Sequence, residues 1–500
     1  MFLGRAFMQS KIYKVLYSVV NFFAKSYAES KVRLCLIGKA DLENKAKDSA
    51  FYRVFGKTVN LLIGISVRFF KALSTGYPES ALKKVYDRFF EHSFAQNYVY
   101  FISFVSVFIF VIPHNFWSNT FGLFFAVVLL GLYLIALAGG KKEYLPGRNA
   151  EKIWFSFIFF GFCLLLGCGI SYDTADSIRV LIFFITSFVL CFTICASLRN
   201  KDGLNVICGF MYFALMVTSL FAIIQRILGV EADAALTDLE LNEGMPGRVF
   251  STFGNPNNFA EFLVLFMPFA FAFALNRKKG SRERLLLVSG MLLPLISILL
   301  TYSRSGWIAL AIAAVIFVSM YDKRLIPVFV VVGILAIPFI PQNILNRLLT
   351  IGNLEDSSSS YRVDIWTGCM KMLEKYWFTG IGLGTGGFAE IYPGYAVGES
   401  AVAPHSHMHF MEMLIELGAL GFVSYVCMTF TLIKRSFVAA SRKVPQEIRN
   451  VAIAAASSMT GIVLIGCFEY CWFYPRVMFA FFVCAGVSMA AYRLAKGSLK

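Results

Sequence analysis

Three histidines stand at alternate positions, His405, His407 and His409, in the run APHSHMHFMEMLIELGALG. An imidazole titrates near pH 6.5 and can take a proton from an alcohol at neutral pH, so a general base is one use for such a residue. Spacing of i, i+2, i+4 also invites a zinc reading, but alternate residues of a helix point apart, and no Cys or clear carboxylate motif completes a tetrahedral set. A third use is to cap the start of a helix at an interface. We expect a base, no bound metal and no cofactor. Glu412 and Glu416 follow one turn apart and would be costly facing lipid. They are expected to face the interior of a helix bundle, there to pair with an arginine or orient a histidine. A second set is cationic: Arg248 in GRVFSTFGNPNNFAEF, Arg304 in TYSRSGW and Arg362 in SSSSYRVDIW. A guanidinium keeps its charge and offers a planar fork to phosphate oxygens. Each alone reads as a snorkelling or loop-packing residue. Together they suggest an anion held at one face.

The elements that must position these residues are membrane helices. The 500-residue chain is 58% hydrophobic and 15% charged, with 53 Phe and a mean hydropathy of +0.68. Ordinary globular chains are about 45–50% apolar and about 25% charged. The excess is gathered into runs of about bilayer length, which excludes soluble enzymes, secreted disulfide scaffolds and disordered proteins. Eleven cysteines lie mostly inside those runs. Cys191/Cys195 and Cys467/Cys471 are read as small buried apolar side chains rather than ligands or disulfides.

Twelve spans are expected, near 97–113, 119–138, 153–170, 178–197, 204–228, 258–275, 284–301, 305–321, 324–341, 409–433, 451–468 and 473–492. Both termini fall in the cytoplasm, with a tail at 493–500. All but nine of the 46 Lys and Arg then lie on the inner side, as the positive-inside bias requires. The nine are Arg179, Arg226, Arg248, Arg304, Arg347, Arg362, Lys371, Lys375 and Arg476. The fold class is therefore an all-α integral membrane protein, its spans filling 97–492, with a long extracytoplasmic loop (342–408) between spans nine and ten.

The net charge of +16 belongs to the inner loops and to residues 1–96, not to a nucleic-acid site. In that N-terminal region, 11–23 and 59–73 mix apolar residues with Lys and Arg at helical spacing, as do amphipathic helices on an anionic leaflet. The inner loops are short, so chemistry is expected outside, in 229–257 and 342–408. GLGTGG (382–387) satisfies G-x-G-x-x-G but has no strand before it and no βαβ context. It is expected to be a hinge or tight turn, giving backbone amides access to a phosphate or sugar.

The runs RVFSTFGNPNNFAEFLVL, SRSGWIALA, YRVDIWTGCMKMLEKYWFTGIGLGTGGF and HMHFMEMLIELGALG, in this order over about 205–435, resemble the O-antigen ligase and O-antigen polymerase superfamily. The family's histidine precedes a Gly by eleven residues, with a small residue three further on. That register selects His407, Gly418 and Gly421, although Met408 stands where the family usually has Asn, Ser or Gln. His405 is followed by Ser406 but lacks the spacing, so either histidine remains open as the base.

The resemblance implies a metal-independent inverting glycosyltransferase at the outer face of the bacterial inner membrane. It would move a glycan from polyprenyl pyrophosphate to a hydroxyl of a glycan or glycolipid acceptor, as a ligase or a surface polysaccharide polymerase. On the matching positions, Arg248 and Arg304 would hold the diphosphate, and Arg362 would shape the long loop or contact the donor. His407 would deprotonate the acceptor. Asn255 and Asn257 would fix the loop-to-helix turn beside the substrate. The rival reading is a transporter or flippase of an anionic lipid-linked substrate, but the expected spans carry few ionisable residues and the polar ones crowd one face.

Overall fold

The computed structural model describes residues 8–38, 93–138, 154–230, 247–349 and 357–498, with residue 232 and scattered positions in 49–84. Within them every regular element is helical. The N-terminal region gives α1 (Lys11–Glu29) and α2 (Lys31–Ile37). The bundle follows with α3 (Ser93–Phe108), α4 (Asn119–Ala138), α5 (Phe155–Gly169), α6 (Thr174–Ser197) and α7 (Lys201–Leu228). Next come α8 (Pro256–Leu275), the broken pair α9 (Arg282–Gly290) and α10 (Leu292–Leu300), α11 (Arg304–Asp322) and α12 (Ile326–Ala336). The loop region holds α13 (Gln342–Leu349), α14 (Ser357–Tyr376) and α15 (Gly386–Ile391), and the chain ends in α16 (His409–Ala440), α17 (Gln446–Ile465) and α18 (Pro475–Gly497).

A helix stands at each of the twelve expected spans. Among the described residues, eight helical stretches are long and apolar enough to cross a membrane, with α9–α10 and α11–α12 each counted as one; three further apolar helices, within α3, α4 and α5, are shorter. The expected span 324–341 is the least regular. Only 11 residues of it form α12, about 16 Å at 1.5 Å per residue, before a 3-10 turn at Ile337–Phe339.

Local sequence explains where these helices start. Asn255 caps α8 by accepting from the backbone N–H of Asn257, and Pro256 occupies the first helical position, where no N–H is needed. Ser303 caps α11, Asp173 caps α6, and Gly229 in the left-handed region ends α7. The centre of the bundle is α8, α17 and α18, buried along most of their length. Small residues bring α17 close to α8: Ser458 donates to the Leu265 carbonyl at 2.7 Å, and a Cβ on Gly461 would sit 2.7 Å from Val264. Of the cysteine pairs singled out by spacing, Cys191, Cys195 and Cys471 are buried and Cys467 is partly buried.

α16 departs from the sequence expectation. A single span of helix was expected from 409, but Gly418 adopts φ 63°, ψ −172°, which breaks it. The chain from 378 to 382 runs into the break: Ile381 and Gly382 donate their N–H groups to the carbonyls of Ile415 and Glu416 at 2.9 and 3.0 Å, and Ala419 donates to Phe378. The freed carbonyls are thereby satisfied inside an apolar bundle, where leaving them bare would be costly.

In the N-terminal region, α1 lies across the end of α11. The Tyr13 hydroxyl donates to the Arg324 carbonyl at 3.1 Å, and Lys323 Nζ donates to Asn21 Oδ1 at 3.0 Å. The stripe Ile12, Val15, Val19, Phe22 and Phe23 is exposed, the amphipathic pattern expected for 11–23. The companion segment 59–73 falls largely outside the described residues, as does most of the acidic stretch 231–246.

Candidate functional site

Arg248 is brought to the site by a folded-over segment between α7 and α8. Val249 N–H donates to Leu300 O at 3.1 Å. Ser251 sits in the left-handed region (φ 51°), held by Gln225, whose side-chain amide exchanges two hydrogen bonds with its backbone at 2.7 and 3.1 Å. The Arg248 guanidinium then donates through Nε to Thr301 O at 2.8 Å and through Nη2 to Asn257 Oδ1 at 2.6 Å. Burial, and after it Arg347, Arg362 and Arg304, push this guanidinium down to about 9, with Glu469 opposing. It remains a cation at neutral pH.

Arg304 is the first residue of α11 and follows Tyr302, a second left-handed position (φ 52°). Trp307 pins the turn from behind by donating to Ile298 O at 2.7 Å. Arg248, Tyr302, Arg304, Arg347 and Arg362 line one cavity of about 970 Å³. Four arginines on one cavity, beside the carboxylates of Glu261, Asp364, Glu399 and Glu469, offer guanidinium donors suited to phosphate oxygens.

The same cavity is lined by His405 and His407. His407 is the third left-handed position among the described non-glycine residues (φ 52°). Such conformations cost about 1–3 kcal/mol each and cluster at functional sites; here all three lie at or beside the same cavity. The backbone around His407 is fixed on both sides: Glu412 accepts from Ser406 N–H at 2.6 Å, Trp366 Nε1 donates to Ser406 O at 3.0 Å, and His407 N–H donates to His405 Nδ1 at 3.1 Å. His405 is buried, and that burial, with His407 beside it, lowers its pKa to about 3. It is neutral, with Nδ1 already accepting. His407 is the more accessible of the two and faces Glu469, with its Nδ1 3.7 Å from Oε2. His409 is turned away into an aromatic cage of Tyr425, Tyr470 and Trp472.

Arg248, Arg304, Arg362, Asn255, Asn257, His405 and His407 all line the one cavity. Asn255 does so as the cap of α8, and Asn257 as the clamp on Arg248. Two expectations need correction. Glu412 and Glu416 face the interior but do not reach the cavity. Glu412 holds the His405–His407 loop from behind; Glu416 accepts from Gly384 N–H at 2.8 Å and Tyr470 Oη at 2.7 Å. The glycine run 382–387 is no open hinge with free amides. Leu383 N–H donates to Gly167 O, Gly384 N–H to Glu416 and Gly386 N–H to Asp176, and a Cβ on Gly382 would lie 2.4 Å from Ser171 Cα. These glycines permit close packing rather than ligand approach. Arg476, counted among the outer cations, is also structural: it donates to the carbonyls of Ile109, Ile112 and Thr252 and stacks over Trp117.

Two cavity residues were missed as site residues. Arg347 comes from α13 and was counted only as an outer cation. Glu469 comes from the crossing between α17 and α18; it accepts from Arg362 Nη2 at 2.5 Å and from Asn257 Nδ2 at 3.0 Å. Burial pushes its carboxyl up, but Arg362 and His407 outweigh that and hold it down at about 2. The available signal was a lone carboxylate in the apolar run CFEYCWFY, the kind of residue that marks function in a membrane protein. Among the described residues no three His, Cys, Asp or Glu side chains group as metal ligands.

Comparison with known families bears on this geometry. Residues 289–426 match the O-antigen ligase family. The O-antigen ligase segment contains Arg304, Arg347, Arg362, both cavity histidines, and Gly418 at the break in α16. Arg248, Asn255, Asn257 and Glu469 lie outside it yet complete the same cavity. No curated protein matches the chain. The match and the apolar helices support a multi-pass membrane protein of the bacterial envelope, with a glycosyl-transferring function in surface polysaccharide biosynthesis.

Proposed function

We propose that the chain transfers a glycan from polyprenyl pyrophosphate to an acceptor hydroxyl at the outer face of the cytoplasmic membrane, by inversion and without a metal ion. The observation that carries this reading is the single cavity lined by four arginines and by His407. Arg248 and Arg304, supported by Arg347, hold the diphosphate and stabilise the charge that grows on it as the glycosidic bond breaks. His407 takes the acceptor proton while the oxygen attacks the anomeric carbon from the opposite face. Arg362, paired with Glu469, shapes the long loop at the donor. Twelve spans with both termini inside put this cavity outside, and α1 lies on the inner leaflet with its exposed apolar stripe in lipid. A ligase and a polymerase would share everything but the acceptor.

The test uses protein in nanodiscs with a polyprenyl-pyrophosphate glycan, candidate acceptors and EDTA, following release of free polyprenyl pyrophosphate. Release is expected to need both acceptor and His407, to be lost in His407→Ala, and to survive EDTA. The accepted molecule then distinguishes ligase from polymerase. Movement of the lipid-linked glycan across the bilayer, with no release for any acceptor, would instead show a flippase.

A further inference from the structure

Glu469 sits among Phe468, Tyr470 and Phe473 with 10% of its side chain exposed. An ionised carboxylate so placed is costly unless opposing charges and donors meet it. Here its two oxygens meet different partners. Oε1 accepts from Arg362 at 2.5 Å and from Asn257 at 3.0 Å, and Asn257 in turn accepts from Arg248 at 2.6 Å. Oε2 faces His407 Nδ1 at 3.7 Å, beyond hydrogen-bond length but within the slack common in unliganded catalytic pairs. One carboxylate therefore meets both Arg362 and His407.

We propose that Glu469 is a positioning residue of the transfer reaction, its Oε1 fixing the arginine side of the cavity and its Oε2 directing the Nδ1–H edge of His407 inward so that Nε2 faces the acceptor hydroxyl. This rests on the reading of His407 as the base. In the step it serves, the acceptor O–H proton passes to His407 Nε2 and the oxygen forms the new bond to the anomeric carbon. The bond from that carbon to the phosphate oxygen breaks, and its electron pair leaves on the pyrophosphate. Glu469 stays ionised throughout and offsets the positive charge that appears on the imidazole, as a carboxylate behind a catalytic histidine does. The other groups close to the ring are His405, with ring centroids 4.2 Å apart, and Arg362 across Glu469. His405 already accepts from the His407 backbone, which leaves Glu469 to orient the ring.

The experiment measures donor KM and kcat for Glu469→Gln, Glu469→Asp and His407→Ala in nanodiscs. Glu469→Gln is expected to lower kcat about 100-fold, the lower end of what a general base contributes, with donor KM within about threefold. Glu469→Asp keeps the charge and should recover part of that loss. In a His407→Ala background, Glu469→Gln should lower residual turnover no further, since the two act as one unit. An unchanged kcat, or a loss only in proportion to folded protein, would overturn the proposal. If Glu469→Gln does not fold, Glu469→Asp carries the test alone: reduced kcat at constant KM supports the role, and raised KM at constant kcat refutes it. Wild-type turnover in His407→Ala would sink the base assignment itself. Loss in His407→Ala with full kcat in Glu469→Gln would sink only the role of Glu469.

Discussion

The end of this bundle that carries the cavity has two faces that use the same residue types in opposite ways. On the cavity face, Arg304, Arg362 and His407 line the open volume, and Glu469 links Arg362 to His407. On the other face, Glu412, Glu416 and the glycines at 380–386 meet backbone groups and the side chains of Tyr470 and Asp176. The difference teaches that a buried carboxylate or a glycine motif has no fixed meaning in the sequence. What decides it is whether the folded chain sets it on the cavity or encloses it.

The comparison can be broken at four points. Arg304→Ala should have the largest effect on activity, a fall of about 10³-fold in kcat/KM, in the range for a donor that stabilises transition-state charge. Thermal unfolding should be unchanged, and near-normal turnover would remove Arg304 from the cavity's chemistry. On the other face, Gly418→Ala places a Cβ 2.2 Å from Phe378 O at a backbone angle that favours glycine. It should lose folded protein outright, since strain of this kind costs about 1–3 kcal/mol before the clash is added; size-exclusion recovery in detergent measures it. Glu416→Gln disturbs the bonds to Gly384 and Tyr470 and should cost about 1–3 kcal/mol of stability while leaving kcat and KM within about twofold. A large change in kcat would mean that the two faces are not separate.

The smallest effect is expected at Arg347. It lines the cavity and its charge acts against that of Arg248, while Arg248 and Arg304 remain to hold the donor. Arg347→Ala should therefore raise donor KM by less than Arg304→Ala does. An unchanged donor KM would remove Arg347 from the donor site.

Much of this was legible in the chain. Apolar runs gave a helix at each expected span because bilayer length and hydropathy act locally. Arg248, Arg304, Arg362 and His407 were readable because a cation or imidazole beside an apolar run is unusual wherever it folds. The break at Gly418 was not readable: the apolar pattern runs across it, and only the approach of 378–382 from elsewhere in the chain makes the break stable. For the same reason the partners of Glu416 were not readable, since Gly384 and Tyr470 reach it from distant segments. Glu469 was missed because its partners lie more than a hundred residues away in Arg362 and more than two hundred in Asn257.

The central claim is that the arginines of the cavity hold the donor while His407 activates the acceptor. Donor binding measured beside turnover, on wild type, Arg304→Ala and His407→Ala in the same nanodiscs, tests it most directly. The account predicts that His407→Ala binds the polyprenyl-pyrophosphate glycan as wild type does but releases polyprenyl pyrophosphate only at a small residual rate, whereas Arg304→Ala loses both binding and release. Equal loss of donor binding in the two variants would contradict it.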